Sequence, residues 1–195
     1  MKKFELTTES ITFLGRTLFR IKALISFGNV KAGELGGYIE KEGNLSHEGN
    51  AWVCGNAWVY GDARVCGDAR VCGNAWVYGD ARVYGNARVC GDAWVCGDAR
   101  VCGNAWVYGN AWVYGNAKVY DNADIATISG FGSEYRTTTF FRTKNDEIAV
   151  KCGCFYGTLA EFREKVKETH GDNRYAKEYL MIADLMEMHF RGEEE

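Results

Sequence analysis

The chain has 195 residues, a net charge of −3 at pH 7 and no proline. Its hydrophobic content of 47% is enough for one folded unit, but no run is long enough to span a membrane. The start, Met1–Thr7, lacks the apolar run of a signal peptide. These features argue against secreted and membrane-embedded classes, and we expect a cytoplasmic protein.

Residues 1–42 have the pattern of β structure and are predicted to form an N-terminal β cap. Strand-like composition is found in Phe4–Thr7, Ile11–Leu14 and Thr17–Phe27, and Gly15-Arg16 is the expected hairpin turn. The open end of a solenoid would expose unpaired strand edges, so a cap is required there.

The centre of the chain is a six-residue repeat. Gly49 to Tyr120 comprises twelve consecutive units of Gly, Asn or Asp, Ala, then Trp, Arg or Lys, then Val, then Tyr or Cys. The alternation in Ala-x-Val predicts a very short strand, and Gly-Asn or Gly-Asp predicts a corner. One Ala-Val pair buries almost nothing, so the units must stack. We predict a hexapeptide-repeat β-helix over residues 43–130, which includes one imperfect unit on each side.

The better period is eighteen residues, as residues 55–72, 73–90 and 91–108 show. Three units per coil predict a triangular prism of parallel strands, with coils about 4.8 Å apart. Outward side chains then form three columns, which we name the indole column (Trp58, Trp76, Trp94, Trp112), the basic column (Arg64, Arg82, Arg100, Lys118) and the mixed column (Trp52, Arg70, Arg88, Trp106).

Charge within the basic column is expected to be offset locally. In four of the five units that carry Asp at the corner, Arg follows two residues later. We expect Asp62, Asp80 and Asp98 to lie beside the arginines of their own units. The alternative is that the columns result only from tandem duplication of eighteen-residue blocks.

Six of the eight cysteines occupy the last position of a repeat unit, where they alternate with tyrosine. They are expected to act as small apolar fillers. Cys54, Cys72 and Cys90 would stack in one column at a separation that permits bridging. In a reducing compartment we expect them to be thiols.

Residues 131–195 are predicted to form a C-terminal α+β cap. Its predicted parts are a β-hairpin of Thr137–Thr143 and Glu147–Phe155, a helix that begins at the capping box Thr158-x-x-Glu161 and ends at Gly171, a second helix from Asn173 to about Phe190, and a frayed tail of Arg191 and Glu193–Glu195. The fold class is therefore mostly β, a capped parallel β-helix.

The units V-Y-G-N-A-W and V-C-G-D-A-R resemble the hexapeptide repeat of left-handed β-helix proteins. Together with the lead-in segment Asn29–Glu40, the unbroken GNAxVx units are similar to a group of bacterial and prophage proteins described as transferases or polymer-forming proteins. The resemblance covers roughly residues 25–130. It implies a single-stranded, left-handed triangular β-helix. It also raises acyl transfer, with a trimer, a histidine base and a groove for an acyl carrier.

Acyl transfer is the less favoured function. His47, His170 and His189 all lie outside the regular units, and no loop interrupts them. We expect His47 to be an exposed, irregular residue rather than a base. Cys152-x-Cys154 lies on a predicted strand with both side chains on one side, but no second pair follows at zinc-finger spacing, so strand packing explains it better than a metal. We predict no enzymatic activity, no cofactor and no metal.

The indole column is the main functional lead, because exposed apolar patches mark interaction sites and Trp and Arg dominate binding hot spots. We predict a non-enzymatic scaffold, of bacterial or prophage origin, that binds a protein partner or itself as a homo-oligomer through the indole and basic columns. The alternative is a nucleotide or nucleic-acid binder that uses the same columns. Against it, residues 49–126 carry seven acidic and six basic residues, which make no basic groove. A further alternative is that the indoles only cover the small Ala-Val core.

Overall fold

The computed structural model describes residues 1–191, and it begins with an antiparallel hairpin. Strands β1 (Phe4–Phe13) and β2 (Arg16–Ala23) pair with a register shift between Leu6 and Ser10, so two predicted segments form one bulged strand. The turn is Leu14–Gly15, one residue earlier than predicted, with φ of 48° and 76°. Positive φ at both positions suits a tight hairpin. Strand β3 (Leu35–Ile39) then pairs with β2.

Twelve two-residue parallel strands form the three walls of the prism. They are β4 (Trp52–Val53), β5 (Trp58–Val59), β6 (Arg64–Val65), β7 (Arg70–Val71), β8 (Trp76–Val77), β9 (Arg82–Val83), β10 (Arg88–Val89), β11 (Trp94–Val95), β12 (Arg100–Val101), β13 (Trp106–Val107), β14 (Trp112–Val113) and β15 (Lys118–Val119). Each wall contains every third strand. Trp58 pairs with Trp76 and Arg64 with Arg82, which confirms the eighteen-residue coil. The left-handed winding implied by the resemblance stays a prediction.

The interior consists of the alanines and valines of the repeat. From Ala51 to Val119 each of them is at most 1% exposed. The corners depend on glycine both for backbone conformation and for space. Gly73 has φ +73°, and a Cβ there would lie 3.0 Å from the backbone nitrogen of Gly91 in the next coil. An alanine at this corner would therefore be strained and crowded at once.

The N-terminal segment closes the upper end of the prism. On the indole wall, β3 pairs with β5, so this wall continues through β3 and β2 to β1 as one seven-stranded sheet. On the other two walls the side chains of Lys3 and Asn44, both almost fully buried, cover the first coil.

The lower end is closed by a four-stranded antiparallel sheet and two helices. They are β16 (Ile125–Ile128), β17 (Thr138–Arg142), β18 (Ile148–Cys152), β19 (Phe155–Thr158), α1 (Leu159–His170) and α2 (Arg174–Arg191). The predicted hairpin corresponds to β17 and β18. Strands β16 and β19 were not predicted, because β16 begins inside the imperfect unit Asp121–Ala126 and β19 directly precedes the capping box of α1. The limits proposed for the three parts of the chain stay a prediction.

Side chains at the lower end of the prism accept hydrogen bonds from backbone N–H groups of the last coil. The Thr139 hydroxyl accepts a hydrogen bond from the Trp112 N–H (3.0 Å), and the Asn122 side-chain oxygen accepts one from the Trp106 N–H (2.9 Å). Phe141 of β17 is fully buried in the solenoid core. The strand edge that a solenoid would otherwise expose is therefore partly covered.

Both predicted helices are present. Thr158 and Glu161 make the reciprocal bonds of a capping box, and Gly171 follows α1 with φ 58°. Arg191 belongs to α2 rather than to a tail, while Glu193–Glu195 lie outside the described residues. Within residues 1–191, neither helix is apolar enough over a sufficient length to cross a membrane.

Candidate interaction surface

The structure brings all four residues of the indole column together. Successive ring centroids from Trp58 to Trp112 are 4.6, 4.8 and 4.5 Å apart, and the planes of neighbouring rings lie within 9° of each other. This stack follows from the sequence, since identical residues in directly paired parallel strands repeat the same side-chain position at each coil. A binding role for the column is not decided by this geometry and stays a prediction.

The N-terminal hairpin covers the upper half of the indole column. The Phe13 ring packs edge-on against both Trp58 and Trp76, with centroid distances of 5.2 Å. At the lower end Trp112 is 36% exposed, and the Lys151 ammonium lies 4.8 Å from its ring centre. The accessible indole surface therefore lies lower on the wall than the sequence predicts.

The mixed column is not uniformly outward. Trp52 is buried beneath Phe27, with ring centroids 5.4 Å apart, and its indole nitrogen has no hydrogen-bond partner among the described residues. The expectation of an outward Trp52 is wrong because the segment before the first coil folds over it. Trp106 at the other end is exposed, and the Arg88 guanidinium lies 5.0 Å from its ring centre.

Exposed aromatic side chains gather on the last coil. Five of them lie in residues 106–120, are between 36% and 59% exposed and form what we name the aromatic belt: Trp106, Tyr108, Trp112, Tyr114 and Tyr120. In the coil above, the positions of its three tyrosines are occupied by Cys90, Cys96 and Cys102, and that of Trp106 by Arg88. Sequence reasoning missed this difference although the sequence carries a signal for it, since the last three units end in tyrosine and the three before them end in cysteine.

The basic column is aligned, but none of its side chains forms an ion pair with a carboxylate within residues 1–191. Arg64 pairs with Arg82, Arg82 with Arg100 and Arg100 with Lys118 in parallel register. The predicted pairs with Asp62, Asp80 and Asp98 are absent from the ion pairs of the described residues, and Asp62 instead contacts Lys41 at 2.7 Å. That expectation was wrong because each Asp lies in the turn, where the chain bends before it reaches the arginine.

The cysteines at the last position of the repeat units are not all in the same state. Cys54 and Cys72 form a disulfide across two coils, with Cα atoms 4.6 Å apart, where thiols were expected. Cys96 and Cys102 are buried free thiols, and burial raises the pKa of each. A hydrogen bond with Cys102, together with burial, raises the pKa of Tyr84 to about 12.

His47 belongs to the N-terminal cap. Its Nδ1 accepts a hydrogen bond from the Lys3 backbone N–H (3.1 Å), its Nε2 lies 2.7 Å from a Glu42 carboxylate oxygen, and its ring stacks on Phe4. The hydrogen bond from His47 lowers the pKa of Glu42. His47 is therefore held by three contacts and is only partly exposed, contrary to the exposed position expected for it.

The remaining candidate ligands lie in the C-terminal cap. Cys152 ends β18 and accepts a hydrogen bond from the Thr138 hydroxyl (3.2 Å), whereas Cys154 lies beyond the strand and is exposed. The two cysteines therefore do not share one strand face as expected. His170 stacks on Tyr179, and His189 lines a cavity of about 740 Å³ beside Trp106. Within residues 1–191, no group of three or more His, Cys, Asp or Glu side chains is arranged to hold a metal ion.

Three segments of the chain match one repeat-family model. Residues 63–79, 81–97 and 99–115 match the model described as the YdcK beta solenoid repeat, and they begin eighteen residues apart, so each corresponds to one coil. With the fold above, this makes the chain a β-solenoid repeat protein. Its repeats are similar to those of YdcK, over about a quarter of the sequence. No curated protein matches the chain.

Proposed function

We propose that this β-solenoid is a non-enzymatic scaffold that binds a partner protein through the aromatic belt and the adjoining basic column. The observation that supports it is the gathering of five exposed aromatic side chains on the last coil. The five side chains surround the last coil on its three walls. Exposed aromatic surface is unfavourable in water and is typical of docking sites. Trp, Tyr and Arg are also the residues that contribute most to binding hot spots.

The charge beside the belt indicates an acidic partner. Lys118 lies over the ring of Tyr120 at 4.8 Å, so the basic column adjoins the belt at this residue. The column's side chains take part in no ion pair among residues 1–191, so its cations are available to carboxylates of a partner. Removal of a charged group from such a contact affects chiefly the association rate and its salt dependence.

A second copy of the chain is the less favoured occupant. In a two-fold symmetric contact the same surface is presented by both subunits, so the basic column would face a basic column. Such an arrangement brings like charges together. Homo-oligomerisation, a cytoplasmic location and a bacterial or prophage origin stay predictions.

A catalytic role is not part of the proposal. His47, the histidine closest to the repeats in sequence, already uses both ring nitrogens in contacts with Lys3 and Glu42. This supports a structural rather than a general-base role, since a base needs a free nitrogen within reach of its substrate.

The test uses a photo-crosslinking amino acid at Tyr108 and, as a control, at Leu24, which is exposed on the N-terminal part. Any protein captured only from Tyr108 is purified and titrated against the folded chain. The variant Tyr108→Ser with Tyr114→Ser should weaken binding by about tenfold or more, as expected for hot-spot aromatics. Phe131→Ser, an exposed aromatic outside the belt, should leave the affinity unchanged.

Two results would contradict the proposal. One is equal capture from Tyr108 and Leu24, which indicates nonspecific contact. The other is an affinity for the purified partner that is the same in the Tyr108/Tyr114 variant and in the wild type. Sedimentation of the wild type alone tests the second-copy alternative. If the wild type is a dimer and the same two substitutions dissociate it, the occupant of this surface is a second copy of the chain.

A further inference from the structure

A separate cavity of about 480 Å³ lies between the last coil and the C-terminal cap. Three segments that are distant in sequence contribute to it: Asn110 and Trp112 of the last coil, Tyr135 and Arg136 of the loop before β17, and Lys151 and Gly153 at the end of β18. Its volume is in the range of small-molecule sites.

The charge of this cavity is positive. Lys151 donates a hydrogen bond to the Gly153 carbonyl (2.5 Å) and takes part in no ion pair among the described residues. Arg136 contacts the Glu134 carboxylate at 3.3 Å, but both side chains are more than half exposed, so this pair is weak and exchangeable. Among residues 1–191, no acidic side chain lines the cavity. Two cations without a lining carboxylate, in a chain of net charge −3, favour an anion.

The solenoid holds the Lys151 ammonium in place before any anion binds. It lies 4.8 Å from the ring centre of Trp112, the last ring of the indole column, whose neighbour Trp94 stacks 4.5 Å away. An ammonium group over an indole face is attracted by the ring. Because Lys151 is held in this way, less side-chain entropy is lost when an anion binds.

Tyr135 contributes an exposed aromatic ring to the same cavity. Tyr135 is 62% exposed and has φ 51°, in the left-handed region that non-glycine residues seldom adopt. Such backbone strain occurs preferentially at ligand-binding and catalytic sites. Trp112 is occupied by Trp94 and Lys151, so Tyr135 is the ring that remains available for stacking.

We propose that this cavity binds a small anion that carries a planar ring, of the nucleoside monophosphate class. The phosphate would accept hydrogen bonds from Lys151 and Arg136, and the base would stack on Tyr135. The site goes beyond the protein-binding surface proposed above. It shares Trp112 with the aromatic belt, but Lys151, Arg136 and Tyr135, which would contact the anion, belong to neither the belt nor the basic column.

Isothermal titration calorimetry of the full chain tests the proposal with three probes: adenosine monophosphate, inorganic phosphate and adenosine. The wild type should bind the monophosphate more tightly than either of the other two. Lys151→Met should weaken that binding by about tenfold or more, as expected for loss of a charge-assisted hydrogen bond. Lys144→Met, in the β17–β18 turn and outside the cavity, is the matched control and should bind as the wild type does.

Tyr135→Ala should lower the affinity for the monophosphate but not for inorganic phosphate, which has no ring to stack. If Lys151→Met does not fold by circular dichroism, Arg136→Gln takes its place with the same expected loss. The proposal is overturned if the wild type shows no binding of the monophosphate up to about 10 mM, a very weak affinity. It is equally overturned if Lys151→Met and Lys144→Met bind alike, or if inorganic phosphate binds as tightly as the monophosphate.

Discussion

Lys3 and Asn44 close two corners of the first coil in the same way. The Lys3 ammonium donates to the carbonyls of Gly49 (3.2 Å) and Ala51 (2.9 Å), and the Asn44 amide donates to those of Gly61 (3.1 Å) and Ala63 (2.8 Å). Deeper in the stack the equivalent carbonyls accept backbone N–H groups of the coil above. Two side chains therefore replace an absent coil, which satisfies the backbone at the end of the solenoid.

Replacement of Lys3 should destabilise the protein. In Lys3→Met the buried Ala51 carbonyl and the partly buried Gly49 carbonyl lose their donor, which is expected to lower the free energy of unfolding by about 1–3 kcal/mol. Urea unfolding followed by circular dichroism measures this loss. Lys2→Met is the matched control, because Lys2 is largely exposed and pairs only with Glu42 at the surface. Equal stabilities of the two variants would show that the first coil does not need the Lys3 donor.

The same lysine should give the stability a distinct pH dependence. Burial lowers the pKa of Lys3 to about 8 from an ordinary value of 10.5. Between these values the unfolded chain binds the proton that the folded chain has released, so the contribution of Lys3 to stability rises with pH from about 8 to 10.5. The stability difference between wild type and Lys3→Met should therefore increase across this range. A difference that is constant or falls would contradict the lowered pKa.

Two of the corner glycines allow the two requirements for glycine, positive φ and space for the next coil, to be tested separately. Gly73 and Gly109 both have positive φ, 73° and 64°, but only at Gly73 would a Cβ meet the next coil, at 3.0 Å. Gly109→Ala should cost about 1–2 kcal/mol for the left-handed backbone alone. Gly73→Ala should cost at least about 1 kcal/mol more because of overpacking. Equal unfolding free energies for the two variants would mean that the coils separate without cost.

The repeat made the walls of the solenoid predictable from sequence. Because every unit has the same length and pattern, one assumption about the coil placed Trp58 beside Trp76 and Arg64 beside Arg82. The helix boundaries were also predictable, since the Thr158–Glu161 capping box and Gly171 are local signals. Both predictions depend on residues that are close in sequence or that recur at a fixed interval.

The contacts between the caps and the prism were not predictable. Burial of Trp52 depends on Phe27, and the covering of Trp58 depends on Phe13, yet neither phenylalanine has a sequence relation to the repeat. The cavity at Lys151 likewise combines three separate segments. Such contacts are set by tertiary packing, which pattern and period do not encode.

Removal of Phe13 should expose the upper part of the indole column. Its ring contacts Trp58 and Trp76, so Phe13→Ser should increase the quenching of tryptophan fluorescence by acrylamide and shift the emission to longer wavelength. The control is Phe131→Ser, which removes an exposed ring of the C-terminal cap. Unchanged quenching in Phe13→Ser would show that the hairpin does not cover these indoles in solution.

The Cys54–Cys72 disulfide should stabilise the upper part of the solenoid in an oxidising buffer. It joins residues eighteen positions apart, and closure of a loop of this length is expected to contribute about 2–3 kcal/mol. Addition of a reductant should lower the unfolding free energy of the wild type by this amount but leave that of Cys72→Ser unchanged. Cys90→Ser is the matched control, because Cys90 is a free thiol at the next position of the same column, and this variant should keep the full response to reductant. Two results together would contradict the disulfide. Mass spectrometry of the air-oxidised wild type would find no crosslinked 54–72 peptide, and the wild type would respond to reductant no more than Cys72→Ser does. These cysteines would then be thiols, as their sequence context alone suggests.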